Sequence, residues 1–411
     1  MIIVKANYLI PNPESCIENG AVVINGTKVH RLGVFDEIKS LAKNEKIVDL
    51  GNAVILPGLI NTHTHLDLSN LHNRIKPTNN FTHWAFQIAG TRMRWKEEDH
   101  VSSVEKGNNL CIESGSTTIA DISNTGHSFS VLKKSPLRKV VYREVLNFNP
   151  DQAKDVINKI QSELSAFVAD NLLSIGLSPH APYSVSKELY QAIAQLTKKT
   201  GIPVSTHIAE TQDEIEFLKK GTGNFHILLK QLRVLTEKWQ PPGLAPIQYL
   251  KETGILGNHT ILIHCNYVTD EEISTIKSSG ASVAFCPRSH HYFGHTSHPI
   301  QRLLDAGINL GLGTDSLASN DTLSILDEMK FLFLNYSISP KTLLAIATIN
   351  GAKALGLESK VGQIKEGFEA DLCAIRLPDC HNDNIYNRLF DVASKNIFTM
   401  VAGAICYNVS L

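Results

Sequence analysis

The chain has 411 residues, a formal net charge of −1 and 43% apolar residues, as expected of a globular protein with one large domain and a smaller one. Its 39 basic and 40 acidic side chains balance, which excludes nucleic acid or an anionic membrane as an electrostatically attracted partner. No apolar run could span a bilayer, Lys5 and Asn7 interrupt the N-terminus too early for a secretion signal, and the seven scattered cysteines contain no Cys-x-x-Cys pair, so a cytoplasmic protein with reduced, mostly buried thiols is expected.

The first 50 residues carry short strand-like pieces at 2–4, 21–24 and 29–34, with Asn25-Gly26 as a hairpin turn between two of them. The tail repeats this texture at 370–375 and 397–401. Both ends are therefore expected to build one small β domain. Between them, strands are predicted at 55–61, 117–122, 140–146, 172–177, 203–206, 260–264, 282–286 and 308–313. Amphipathic stretches separate them, such as 187–200, where Leu189, Ile193 and Leu196 follow helical spacing. Eight alternations over ~300 residues predict a (β/α)8 TIM-like barrel with a small β-sandwich domain formed by both chain termini. The expected division is 1–56 and 358–411 for the sandwich and 57–357 for the barrel.

Two βα connections are long, 66–115 and 209–259, and such connections build the active-site rim of a barrel. The first carries Phe81, Trp84, Phe86 and Trp95, with Trp84 as the candidate substrate wall. The second carries Trp239 and Pro241-Pro242, a candidate lid.

Groups just past the C-terminal ends of barrel strands converge on one mouth. The first strand ends in His63-Thr64-His65, two histidines on one face by the period-two rule. The fourth ends in His180, the fifth in His207 with Glu210 three residues on, the sixth in His264, the seventh in Pro287-Arg288-Ser289 and the eighth in Asp315. A lone strand-end histidine is ordinarily a hydrogen-bonded core residue. Five histidines and an aspartate at the same end of one barrel are not explained that way. Three imidazoles and a carboxylate suit a single divalent ion, Zn2+ or Fe2+, which lowers the pKa of bound water from ~15.7 towards ~7. Glu210 is placed to move the proton of that water, and also reads as a first-turn helix carboxylate. Asp315 reads as ligand or base, with helix capping as the structural alternative.

Pro57-Gly58-Leu59-Ile60-Asn61-Thr62-His63-Thr64-His65, Thr206-His207-Ile208-Ala209-Glu210-Thr211, His264-Cys265 and Gly313-Thr314-Asp315-Ser316 resemble the amidohydrolase superfamily. Asn350-Gly351-Ala352 and Gly367-Phe368-Glu369-Ala370-Asp371-Leu372 extend the resemblance over essentially the whole chain. It is to the branch of nucleoside and nucleobase deaminases and triazine or chloro-hydrolases. The resemblance implies metal ligation by His63, His65, His207 and Asp315, Glu210 as proton shuttle, His264 as a second stabiliser of the attacking water, and substrate contact by His180. Asp315 would also accept the proton of that water. No lysine ends the fourth strand, against the binuclear members that bridge two metals with a carboxylated lysine.

The implied activity is hydrolytic removal of ammonia from an adenosine-type nucleoside. The nearest groups are the S-adenosylhomocysteine, methylthioadenosine and aminodeoxyfutalosine deaminases, the last belonging to menaquinone synthesis. Residues 82–84 and 288–295 look most like that last group, whose substrate carries a benzoate; Arg288 or Arg92 would pair with its carboxylate. His290 stands where many relatives have Asn. The implied partner is a small heterocyclic substrate, with a homodimer as the implied assembly. A hydrolytic dehalogenase or triazine hydrolase on the same scaffold, and a non-catalytic metal-binding interaction protein, are the alternatives.

Overall fold

The computed structural model describes residues 1–42, 46–235, 239–379 and 384–409. Two eight-stranded sheets organise it. The terminal sheet contains β1 (Ile2–Asn12), β2 (Ser15–Asn25), β3 (Lys28–Val34), β4 (Lys46–Asp49), β5 (Ala53–Pro57), β14 (Leu372–Arg376), β15 (Lys395–Val401) and β16 (Ala404–Asn408). The barrel contains β6 (Leu59–Thr64), β7 (Ser116–Ser123), β8 (Arg138–Val145), β9 (Leu173–Pro179), β10 (Val204–Ile208), β11 (Thr260–His264), β12 (Ser282–Phe285) and β13 (Leu310–Leu312).

As expected, the two ends of the chain share one sheet, in the order β16-β15-β14-β5-β1-β2-β3 with β4 beside β1. The hairpin at Asn25-Gly26 is present, with Asn25 opposite Lys28 and Gly26 at φ 60°. Val4, Val22, Ile55, Leu372, Phe398 and Met400 share the core of this sheet.

Every barrel pair is parallel and in sequence order. The ring closes between its first and last strands. Thr62 Oγ1 donates to the Leu312 carbonyl at 2.7 Å, the Thr314 amide donates to the His63 carbonyl at 3.0 Å, and Thr64 bridges Asp315. Gly313 permits this approach, since a Cβ there would meet the His63 Cβ at 2.8 Å.

One expectation is corrected. The predicted strand 55–61, part of the apolar run from Ala53 to Ile60, is not one barrel strand. Ala53–Pro57 pairs antiparallel with β14, and the barrel strand starts only at Leu59. Gly58 makes the break, because a Cβ would lie 2.0 Å from Thr117 Oγ1 and its amide instead donates to the Asp371 carbonyl. His63 therefore lies within β6 and His65 immediately follows it.

The long connections are largely helical. The first holds the helices Phe81–Arg92 and Glu97–Glu113, and Asn80 caps the former by accepting the His83 amide. The second holds Gln212–Lys220, Asn224–Gln231 and Pro246–Thr253, with 236–238 outside the described residues. Trp239 stacks on Phe217, ring centroids 4.7 Å apart, and does not line the mouth cavity. Among the described residues the cysteines are free, and Cys111, Cys265, Cys286 and Cys373 are buried; Cys380 lies outside those residues. No described helix is long and apolar enough to cross a membrane.

Candidate metal centre and active site

His63, His65 and His207 meet at the barrel mouth with one ring nitrogen of each within 4.8 Å of the others. His63 and His65 leave the same strand end, centroids 4.8 Å apart. The Nδ1 of His207 lies 3.0 Å from the His180 carbonyl, which can only accept, so that nitrogen carries the hydrogen and Nε2 is left with a lone pair. This Nε2 faces His65 Nε2 at 3.3 Å. His63 is fully buried and neither of its ring nitrogens has a hydrogen-bond partner. Burial holds His65 and His207 well below the ordinary histidine range, in the neutral form that ligates metals.

Asp315 completes the group. Its Oδ1 lies 3.6 Å from His63 Nε2 and 3.7 Å from His65 Nε2. Its Oδ2 is turned away, accepting from Ser289 Oγ at 2.7 Å and Ser319 Oγ at 2.8 Å. Burial opposes ionisation here, but the imidazoles of His63, His65 and His264 outweigh it and hold the carboxyl well below its usual range. Neutral imidazoles with unpartnered nitrogens around one carboxylate oxygen are a donor set that a divalent cation satisfies, so the residues present fit such an ion.

Glu210 follows β10 and its Oε1 stands 3.4 Å from His264 Nε2. Burial, then the charges of Asp315 and Glu214, push its carboxyl well above the ordinary range, which favours the protonated acid. Burial lowers His264 to about 3 and keeps it neutral. His180 hydrogen-bonds Ser184 Oγ through Nδ1 at 2.7 Å, lies 4.0 Å from Glu144 Oε1 through Nε2, and is lowered to about 4, also chiefly by burial.

These groups line one cavity of about 500 Å³. Phe81, Trp84 and Ile88 form its apolar wall, and the Trp84 indole is fixed by donating to the Ala318 carbonyl at 2.9 Å. Asp67, Arg92, His100, Asn124 and Glu144 add polar groups to the lining, Arg92 from the same helix as the apolar wall. Of the expected site residues, the structure brings Trp84, His180, His207, Glu210, His264 and Asp315 to this cavity beside His65, with His63 buried behind them.

Arg288 is the exception. Its guanidinium bonds Asn320 and Asp321, and it does not line the cavity. An ion pair with Asp321 and a hydrogen bond to Asn320, both on the loop after β13, draw it aside. Arg92 is the arginine that reaches the cavity, paired with Asp67 at 3.0 Å. Asp67, Asn124 and Glu144 escaped the sequence reading. The available pointer was a charged residue beside the apolar end of a barrel strand, as in Arg143-Glu144-Val145.

Residues 54–406 match the amidohydrolase family. The chain is 29% identical over 427 residues to a 5-methylthioadenosine/S-adenosylhomocysteine deaminase of Carboxydothermus hydrogenoformans, covering 98% of this chain and 88% of that protein. It is 31% identical over 370 residues to a 5'-deoxyadenosine deaminase of Methanocaldococcus jannaschii, covering 87% and 82%. Its fold matches the crystal structure of Helicobacter pylori aminofutalosine deaminase in complex with methylthio-coformycin, with a TM-score of 0.86, 25% identity and 98% and 100% of the two chains covered.

Proposed function

This chain belongs to the amidohydrolase family, and from that premise we propose that it is a metal-dependent hydrolytic deaminase of an adenosine-type nucleoside. The observation that carries the reading is the convergence of Glu210 and His264 with the His63, His65, His207 and Asp315 group in one cavity. The relatives named above support it, being deaminases of adenosine derivatives.

His63, His65, His207 and Asp315 would hold one zinc or iron ion, whose contribution when bound is to make water acidic enough to attack at neutral pH. The remaining chemistry belongs to the side chains. Glu210, protonated, gives its proton to the ring nitrogen beside the amino-bearing carbon, which makes that carbon electrophilic. His264 and Asp315 orient the attacking water, and Asp315 accepts its proton. The proton delivered to the amino group lets ammonia leave as the ring carbonyl forms. Trp84 and Phe81 supply the apolar face against which a purine lies.

Within this class the substrate we propose is 6-amino-6-deoxyfutalosine, which would place the enzyme in menaquinone biosynthesis, with S-adenosylhomocysteine and methylthioadenosine next. Arg92 supports the choice: it lines the cavity, where a substituent carboxylate would find a guanidinium. The test is ammonia release by the metal-loaded protein from adenosine, methylthioadenosine, S-adenosylhomocysteine, aminodeoxyfutalosine, guanine, cytosine and a chlorotriazine. Preference for the benzoate-bearing nucleoside is expected. Ammonia from none of them would overturn the deaminase reading.

A further inference from the structure

The backbone around the candidate centre is held in a costly conformation. Ala209, His264, Cys265 and Asp315 have φ of 50°, 71°, 53° and 57°. The left-handed region is unfavourable for a residue with a Cβ, and it persists where surrounding groups enforce it. For the pair Ala209-Glu210 those groups are visible.

Glu214 is fully buried in the first turn of the helix Gln212–Lys220. Thr211 and Glu214 have the sequence of a capping box, in which the glutamate would return to the amide of the cap residue. Thr211 does cap, accepting the Glu214 amide at 3.2 Å. The Glu214 carboxylate instead reaches past Thr211. Its Oε1 accepts the Ala209 amide and its Oε2 accepts the Glu210 amide, each at 2.9 Å. From the other side, buried Asn266 donates through Nδ2 to the Glu210 carbonyl at 3.0 Å. Both polar groups of the Glu210 backbone are therefore gripped by side chains. Neither Glu214 nor Asn266 lines the cavity.

We propose that Glu214 and Asn266 are positioning residues that fix the Glu210 carboxyl against His264 and the metal-ligating group. The inference rests on the reading of Glu210 as the proton carrier. A backbone rotation of about 15° would swing a carboxyl ~4 Å from its Cα by about 1 Å, and misplacement of that size can cost about a hundredfold in rate. Burial pushes the Glu214 carboxyl up to about 8, and the two amides that donate to its two oxygens oppose that shift; the ionised form is the one that presents two acceptors to two successive amides. Glutamine would turn an NH2 towards one of them.

Glu272 supplies an internal control. It is equally buried and accepts two amides, from Ile247 and Thr269, both at 3.0 Å, but closes an ordinary capping box away from the cavity. The experiment measures kcat, KM, bound metal and Tm for Glu214→Gln, Asn266→Ala and Glu272→Gln. Glu214→Gln and Asn266→Ala are expected to lower kcat about tenfold to a hundredfold, with KM and metal content within about twofold of wild type. Glu272→Gln is expected to lower Tm alone. Should Glu214→Gln fail to fold, Asn266→Ala decides by itself. Unchanged kcat in the folded variants, or loss of kcat only in proportion to lost metal, overturns the proposal. A wild type that releases no ammonia would instead overturn the deaminase reading beneath it, and an undiminished Glu210→Gln would remove Glu210 from the mechanism, and this proposal with it.

Discussion

His65 and His207 face each other through Nε2 atoms 3.3 Å apart, and the His180 carbonyl dictates that His207 presents a lone pair there. The two imidazoles come from strands far apart in the ring, and a shared cation satisfies both. Chelation is therefore expected to destabilise the fold. An ion present at a thousand times its Kd contributes about 4 kcal/mol. Thermal unfolding before and after chelation, with metal content measured alongside, checks this. His65→Ala and His207→Ala should each lower metal content. An unchanged Tm after verified metal removal would show that the ion does not stabilise the fold, and undiminished metal content in both variants would exclude these histidines as its ligands.

Glu210→Gln retains the shape of the protonated acid and cannot cycle a proton. Bound metal is expected to stay near one per chain while kcat falls by roughly a hundredfold to ten-thousandfold. Turnover at the wild-type level would remove Glu210 from the mechanism.

Arg92 is paired with Asp67 in the lining of the cavity. A charge-assisted contact to a substrate carboxylate is worth about 1.5–3 kcal/mol, so Arg92→Met should raise KM for aminodeoxyfutalosine by roughly tenfold or more. KM for methylthioadenosine, which has no carboxylate, should change little. Because the single variant leaves Asp67 buried and unpaired, Arg92→Met with Asp67→Asn is the informative form. Equal effects on both substrates would mean that Arg92 does not read a carboxylate.

Glu328 is fully buried, accepts the Arg288 amide at 3.0 Å and Asn320 Nδ2 at 2.7 Å, and is pushed up to about 8 by burial. A carboxyl raised in the folded state binds more protons there than in the unfolded chain. Its stabilising contribution is complete below its ordinary pKa near 4.5 and is lost as pH rises through about 8. Glu328→Gln imitates the protonated form at every pH. The variant should therefore gain on wild type as pH rises from about 5 to 8, by up to about 1.4 kcal/mol per pH unit. Parallel stability curves for the two proteins would show that Glu328 does not titrate in this window.

The alternation of strands and helices, the sharing of one sheet by the two chain ends, and the histidines at the strand ends were legible in the amino-acid sequence. These follow from local rules: side chains alternate along a strand, apolar runs bury, and parallel strands bring their C-terminal ends to one mouth. Once His63, His65, His180, His207, His264 and Asp315 ended strands of one ring, their meeting followed. Tertiary structure alone decided matters that depend on distant partners. The apolar run from Ala53 to Ile60 divides between two sheets because Gly58 packs against Thr117. Asp321 and Asn320 draw Arg288 aside, while Arg92 reaches the cavity beside Asp67. Glu214 and Thr211 have capping-box spacing, yet the carboxylate holds Ala209 and Glu210. Residue type and spacing fix what a side chain can do; the groups that surround it in the folded chain, often many residues away, select which of those interactions is made.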